Sequence, residues 1–85
     1  MDVPSYIKVA SNPARVVGLN SVGMERGGID QETITILKKA YKIIYRKGFN
    51  LKDAIEKVES IESSNVQEVR NFIDSIKSSE RGILR

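Results

Sequence analysis

The sequence predicts a mainly α fold, in which an extended N-terminal arm precedes a small antiparallel helical bundle. Two observations predict this class. The first part of the chain favours strands and is broken by Pro4 and Pro13. From Asp30 onward, apolar residues recur at helical spacing behind residues that suit helix caps. We therefore divide the 85 residues into an extended arm over 1–19 and a helical domain over 20–85.

The composition excludes several kinds of catalytic and metal site. The chain contains no cysteine and no histidine, so it has no disulfide, no thiolate nucleophile, no Cys/His zinc site and no imidazole general base. Its longest apolar run is Ile43–Tyr45, which is far too short to cross a membrane. We expect no membrane span, no cofactor, no metal and no catalytic residue in this chain.

The arm carries the residue types of extended chain. Asn12 and Pro13 mark a turn within it, because proline fixes its own φ and keeps the preceding residue out of the α region. A two-stranded ribbon is marginally stable in water by itself, so we expect the arm to lie against the helices. The strand-favouring residues are Tyr6, Ile7, Val9, Val16 and Val17.

The first long helix is predicted to begin after Asp30, whose carboxylate suits the N-cap. Ile29 and Ile34 are placed for a hydrophobic staple, and Gly48 suits the left-handed residue that ends the helix. The apolar residues spread over about 200° of the helical wheel, so more than one neighbour must cover them and this helix is central. They are Ile34, Ile36, Leu37, Ala40, Tyr41, Ile43, Ile44 and Tyr45.

Shorter helices flank the central one. A single turn is predicted over residues 21–26, and a helix capped by Asn50 follows the central helix. Residues 60–64 are expected to form a connection, Asn65 to start the last helix, and residues 79–85 to be irregular. The predicted core consists of Leu37, Ala40, Tyr41, Ile44, Val58, Val69, Phe72 and Ile73.

One stretch of the central helix is strongly basic. The chain has a net charge of +3, and the positive excess lies in residues 29–50. Lys38, Lys42 and Arg46 recur every four residues with Lys39 beside them, and like charges at this spacing repel each other. We call these four residues the basic ridge. An anionic partner would relieve the repulsion, and the alternative is an ordinary solvated face. Because no aromatic residue interleaves the ridge on its exposed side, single-stranded nucleic acid is disfavoured.

A glycine-rich bend precedes the central helix. Arg26 stands in it, between Gly23 and the pair Gly27 and Gly28. Backbone N–H groups, a helix dipole and a guanidinium together suit a phosphate. A plain linker between two helices would have the same composition, so the residues alone leave both interpretations open.

Several stretches of the chain resemble one enzyme family. Residues 2–6 and 12–15 are similar to the last coil of a hexapeptide-repeat acyltransferase and to the exit from that coil. Residues 18–26, 37–48 and 81–85 resemble the acyl-[acyl-carrier-protein]–UDP-N-acetylglucosamine O-acyltransferases, and residues 18–26 and 40–46 are the more specific part of this resemblance. The resemblance covers essentially the whole chain, but only the C-terminal third of such an enzyme.

The resemblance implies both a fold and a function. Family members are cytoplasmic homotrimers built on a left-handed parallel β-helix, so the arm would be the end of that β-helix. They transfer a 3-hydroxyacyl chain from acyl carrier protein to the glucosamine 3-hydroxyl of UDP-N-acetylglucosamine, the first step of lipid A biosynthesis. Their general base is a histidine on the β-helix. This chain would therefore be the helical C-terminal domain, which supports the trimer and is inactive by itself.

The resemblance also implies binding residues. Asn20 and Arg26 match family residues that help to hold the UDP-sugar. Val22 and Gly27 depart from the pattern of some family members, which carry an acidic nucleotide contact and a second arginine at these positions. Only Asn20 and Arg26 are therefore carried over as substrate-binding residues. The basic ridge becomes the expected docking surface for the acidic acyl carrier protein.

Two hypotheses of function follow. In the first, the chain is the substrate-contacting, trimer-supporting domain of such an acyltransferase. In the second, it is a free-standing basic helical module that binds an acidic protein or a nucleic acid. A reading frame that continues upstream of Met1 with hexapeptide repeats would favour the first, and a true start at Met1 would favour the second.

Overall fold

Two short strands and four helices follow one another along the chain. The structure, a computed structural model, describes residues 3–10, 15–61, 66–79 and 82–83. The predicted mainly α class is confirmed, and none of the described helices has the length and apolar character needed to span a bilayer. The elements are β1 (Ile7–Ala10), β2 (Arg15–Leu19), α1 (Ser21–Arg26), α2 (Gln31–Tyr45), α3 (Leu51–Ser60) and α4 (Gln67–Lys77).

The arm is an antiparallel two-stranded ribbon. Ile7 pairs with Leu19 and Ala10 with Arg15, and the register shifts between Lys8 and the residue after it. The turn predicted at Asn12 and Pro13 lies outside the described residues. Ile7 and Leu19 pack against the helical core, as expected for a ribbon too small to be stable alone. That the arm continues a β-helix coil stays a prediction.

Hydrogen bonds fasten the start of the arm to the helices. The Ser5 backbone N–H donates to the Ser75 Oγ at 3.0 Å, and the Asn71 Nδ2 donates to the Tyr6 hydroxyl at 3.2 Å. The Asn20 backbone N–H donates to the Tyr6 carbonyl at 2.7 Å. The first two bonds attach the arm to α4, and the third attaches the start of the arm to the residue that precedes α1.

Tyr6 has an unusual backbone conformation for a residue with a side chain. Its φ is +67°, in the left-handed region, which costs a non-glycine residue about 1–2 kcal/mol. Tyr6 forms hydrogen bonds with Asn20 and Asn71. Each hydrogen bond stabilises the fold by about 0.5–1.5 kcal/mol net, so the two together offset the cost of the left-handed conformation. Tyr6 also packs against the core, so its conformation is set by tertiary contacts.

The ends of α2 follow the sequence prediction. Asp30 is the N-cap, and its Oδ1 accepts a hydrogen bond from the Thr33 backbone N–H at 2.8 Å. Ile29 is packed against the core cluster that includes Ile34, as a hydrophobic staple requires. Gly48 follows the helix with a φ of +76°, the left-handed conformation expected at that end.

The core is built around α2. This helix packs against α1, α3 and α4, so the prediction of a central helix is confirmed. All eight predicted core residues are buried. Ile83 is also buried, at 6% exposure, although the sequence placed it in an irregular tail. The other buried apolar residues that the predicted core left out are Met24, Ile34, Ala54 and Ile76.

The two C-terminal helices differ in how they begin. Asn50 caps α3 as predicted, because its Oδ1 accepts from the Asp53 backbone N–H at 2.9 Å. Helix α3 includes Ser60, so the connection begins later than predicted. The N-cap of α4 is Val66, which makes no side-chain capping bond. Asn65, the predicted start, lies outside the described residues.

Candidate functional site

Helix α1 is a single short element whose C-terminal end is a Schellman motif. The Gly28 N–H donates to the Glu25 carbonyl at 3.1 Å, and the Ile29 N–H donates to the Met24 carbonyl at 3.0 Å. Gly28 takes the left-handed conformation, with a φ of +87°, that this motif places after the cap. Met24 and Ile29 both contribute to the core, so the motif holds α1 against the rest of the domain.

Asn20 is the N-cap of α1. Its Oδ1 accepts a hydrogen bond from the Gly23 backbone N–H at 3.2 Å, and its own backbone N–H donates to the Tyr6 carbonyl. The residue is exposed. With the oxygen engaged by the helix, the amide Nδ2 is the part of the side chain that can donate to a ligand. Asn20 was predicted only as a binding residue, and its capping role was missed.

Arg26 is the last residue of α1 and is exposed. Among the described residues, its guanidinium has no salt bridge and no side-chain hydrogen bond; the neighbouring Glu25 carboxylate instead accepts from the Gln31 Nε2 at 2.9 Å. Asn20 and Arg26 stand at opposite ends of α1, about 9 Å apart along its axis for a rise of about 1.5 Å per residue. The two residues therefore suit different parts of an extended ligand.

The bend after Arg26 does not offer backbone donors to a phosphate. The N–H groups of Gly27, Gly28 and Ile29 donate to carbonyls of α1, at 3.0 to 3.1 Å. The glycines serve the geometry of the Schellman motif instead. Of the three groups that the sequence analysis brought together for a phosphate, the guanidinium is therefore the one left available.

The N-terminal end of α2 already carries an anion. Hydrogen bonds from the Thr33 side chain and from the Thr33 backbone N–H lower the pKa of the Asp30 carboxyl below its ordinary value. Glu32 adds a second acidic residue in the first turn. Both carboxylates interact favourably with the positive end of the helix dipole, and both repel a further anion. A phosphate near Arg26 would thus bind on the α1 side of the bend.

An open cavity of about 250 Å³ lies between the arm and α1. Arg26 does not line this cavity, so the structure does not bring both predicted substrate-binding residues to one depression. Gly23, predicted only as part of the glycine-rich bend, is part of the lining. The cavity is lined by Tyr6, Asn20, Gly23, Met24, Gly27 and Ile29.

The basic ridge lies on the exposed side of α2. All four of its residues are exposed, and none forms a salt bridge with a carboxylate of the described residues. The Arg46 guanidinium carbon lies 6.0 Å from the centre of the Tyr41 ring, and that ring stacks on Tyr45 at 5.0 Å. Like charges one helical turn apart cost about 0.2–0.5 kcal/mol per pair, so an anionic partner would be stabilising there.

Comparison with known proteins identifies the family. Residues 2–84 match the family model described as UDP-N-acetylglucosamine O-acyltransferase, domain 2. The chain is 44% identical over 84 residues to an acyl-[acyl-carrier-protein]–UDP-N-acetylglucosamine O-acyltransferase of Thermodesulfovibrio yellowstonii, and 45% identical over 84 residues to one of Fusobacterium nucleatum. The alignments cover 99% of this chain and 32% of each relative. The chain thus spans about a third of the length of these relatives.

Solved structures agree with the sequence comparison. A UDP-N-acetylglucosamine acyltransferase from Bacteroides fragilis superposes with a TM-score of 0.90 at 40% identity, over 99% of this chain and 32% of that one. The Arabidopsis UDP-N-acetylglucosamine acyltransferase superposes with a TM-score of 0.90 at 29% identity, over 100% of this chain and 33% of that one. The fold and these relatives define the class as a domain found in acyltransferases. More narrowly, the chain belongs to the UDP-N-acetylglucosamine O-acyltransferase family, matching its domain 2.

The Asp30 carboxylate at the start of α2 makes the stability of the fold depend on pH, and this dependence can be tested. Because the folded-state pKa of Asp30 is lowered, its stabilising effect is complete above the unfolded-state pKa of about 3.9 and is lost as the pH falls through the folded-state value. Asp30→Asn keeps a good N-cap but removes the charge. We expect the variant to be less stable than the parent chain near neutral pH and the difference to shrink below about pH 4.

Urea unfolding of both proteins between pH 2.5 and pH 7 measures this difference. Glu56→Gln, at an exposed position of α3, is the matched control and removes one carboxylate outside any cap. A stability difference between Asp30→Asn and the parent chain that is constant across this pH range would show that the charge of Asp30 does not stabilise α2.

Proposed function

We propose that this chain is the nucleotide-sugar-contacting and carrier-protein-contacting domain of a UDP-N-acetylglucosamine O-acyltransferase. The observation that carries the proposal is the family match over residues 2–84, which leaves almost none of the chain unaccounted for. Such an enzyme would act in the cytoplasm as a homotrimer, in the first step of lipid A biosynthesis. The match favours this function over a free-standing basic module.

The proposed reaction assigns this domain a binding role. The glucosamine 3-hydroxyl oxygen forms a bond to the acyl carbon, and the hydroxyl proton passes to a general base. The thioester C–S bond then breaks with its electron pair on sulfur, and acyl carrier protein leaves as the free thiol after taking up that proton. A hydroxyl of high pKa needs a base that titrates near neutrality, and a chain without histidine offers no imidazole for that task. The base is therefore expected in another part of the enzyme, and this domain alone is expected to transfer no acyl group.

Asn20 and Arg26 are proposed to bind the nucleotide half of UDP-N-acetylglucosamine, the acyl acceptor, across a subunit boundary. The Asn20 Oδ1 is engaged by Gly23, so the amide would contact the ligand as a donor to a carbonyl or hydroxyl oxygen. The Arg26 guanidinium is exposed and carries a permanent charge in a planar fork, which suits a diphosphate. Val22 and Gly27 lack the groups to add an acidic contact or a second cation.

The basic ridge is proposed to dock acyl carrier protein. Its four cations are exposed and stand on the most thoroughly anchored helix of the domain, so their spacing is fixed before a partner arrives. Complementary charge of this kind raises the association rate and sets the register of a complex. An acidic carrier protein would also relieve the repulsion within the ridge.

Arg26→Ala in the full-length enzyme tests the nucleotide contact. Losing one charge-assisted hydrogen bond is worth about 1.5–3 kcal/mol, so we expect the affinity for UDP-N-acetylglucosamine to fall about 10- to 150-fold. Isothermal titration and thermal unfolding are measured together. The control is Arg70→Ala, which removes an exposed arginine from α4. Unchanged affinity in Arg26→Ala would remove Arg26 from the site, and lost stability with unchanged affinity would make it structural.

Reversing two charges of the ridge tests the carrier-protein contact. The double variant Lys42→Glu, Arg46→Glu should raise KM for the acyl carrier substrate, with a smaller effect at high salt because screening weakens the attraction in both proteins. The control is Lys52→Glu, Arg70→Glu, which makes the same change in net charge on α3 and α4. If KM is unchanged by the ridge variant, or rises equally in the control, the ridge is a solvated face and not a docking surface.

A further inference from the structure

The side chain of Asn20 is held in one place by two neighbours. The Asn20 backbone N–H donates to the Tyr6 carbonyl at 2.7 Å, which fixes the main chain. The Gly23 backbone N–H donates to Oδ1 at 3.2 Å, which fixes the side chain. The amide therefore lies over the first turn of α1, directly against the residue three positions later.

Gly23 is the residue that leaves room for this amide. A Cβ built at position 23 would lie 2.5 Å from the Asn20 Nδ2 and 2.9 Å from its Cγ, closer than real atoms approach. A Cβ at Gly27, the residue after the same helix, would meet only backbone oxygens, at 3.4 and 3.5 Å. The side-chain amide of Asn20 is thus the group that any side chain at position 23 would displace.

The backbone conformation does not require glycine at position 23. Among the described glycines, Gly28, Gly48 and Gly82 have positive φ and Gly23 does not. Glycine inside a helix is less favourable than alanine, so its presence in the six-residue α1 needs another reason. The space taken by the Asn20 amide supplies that reason.

We propose that Gly23 is a positioning residue, which holds the Asn20 amide where Nδ2 can donate to the nucleotide sugar. This inference rests on the proposed function of Asn20. A side chain at position 23 would force the Asn20 amide to turn away, by rotation about the side-chain bonds of Asn20. Alanine's better helix propensity then offsets much of the lost capping bond, so ligand binding changes far more than stability does.

Four variants of the full-length enzyme form the test: Gly23→Ala, Asn20→Ala, the double variant of both, and Gly18→Ala in β2 as the control, where a Cβ would meet nothing within 4 Å. Losing one neutral hydrogen bond corresponds to about a 2- to 12-fold loss of affinity. We expect Gly23→Ala and Asn20→Ala to raise KM for UDP-N-acetylglucosamine by similar factors in that range. The double variant should bind no worse than Asn20→Ala, and Gly18→Ala should match the parent enzyme.

Thermal unfolding of the same variants separates positioning from a general structural effect. Gly23→Ala should leave the Tm almost unchanged in the parent enzyme and raise it in the Asn20→Ala background, where no amide is in the way. Positioning is overturned if Asn20→Ala raises KM and Gly23→Ala does not, if the KM effects of the two single variants multiply in the double variant, or if Gly18→Ala raises KM as much as Gly23→Ala does. If Asn20→Ala itself leaves KM unchanged, the proposed function of Asn20 fails, and the positioning role falls with it.

Discussion

The rest of the structure depends on the burial of α2 by three other helices. Leu37, Ala40 and Ile44 have no exposed surface, and Ile34 has 1%. The other helices have between 6 and 11 residues, too few to be stable in water alone. Their helical hydrogen bonds persist because apolar residues such as Met24, Val58 and Phe72 bury surface against the same core. Each Å² of apolar surface removed from water stabilises the fold by about 25 cal/mol.

The candidate binding residues depend on this core although they are exposed. Helix α1 is the least able of the four to form by itself, and Met24 and the Schellman motif attach it to the core. The arm adds the Tyr6 carbonyl as an acceptor for the backbone of Asn20. The exposed guanidinium of Arg26 and the amide of Asn20 are thereby presented on a rigid base. Preorganisation of this kind reduces the entropy lost on binding.

Local features were predictable from the sequence, and contacts between distant residues were not. The caps at Asp30 and Asn50 and the left-handed Gly48 follow from neighbouring residues, so they were predicted correctly. The bond between Ser5 and Ser75 joins residues 70 positions apart, and burial of Ile83 requires the chain to return to the core; no local pattern indicates either. The roles of Asn20 and Gly23 were missed for a related reason. An asparagine three residues before a helical glycine is a detectable signal, but its meaning depends on where the amide lies.

Native-state hydrogen exchange of the backbone amides tests the central claim most directly. If α2 is the element on which the others depend, its amides at Leu37, Ala40 and Ile44 exchange only through global unfolding. The amides of α1 are then expected to exchange through smaller openings, at a lower free energy. Exchange of the α2 amides at a lower free energy than those of α3 or α4 would contradict the account, because the bundle would then persist after its central helix had opened.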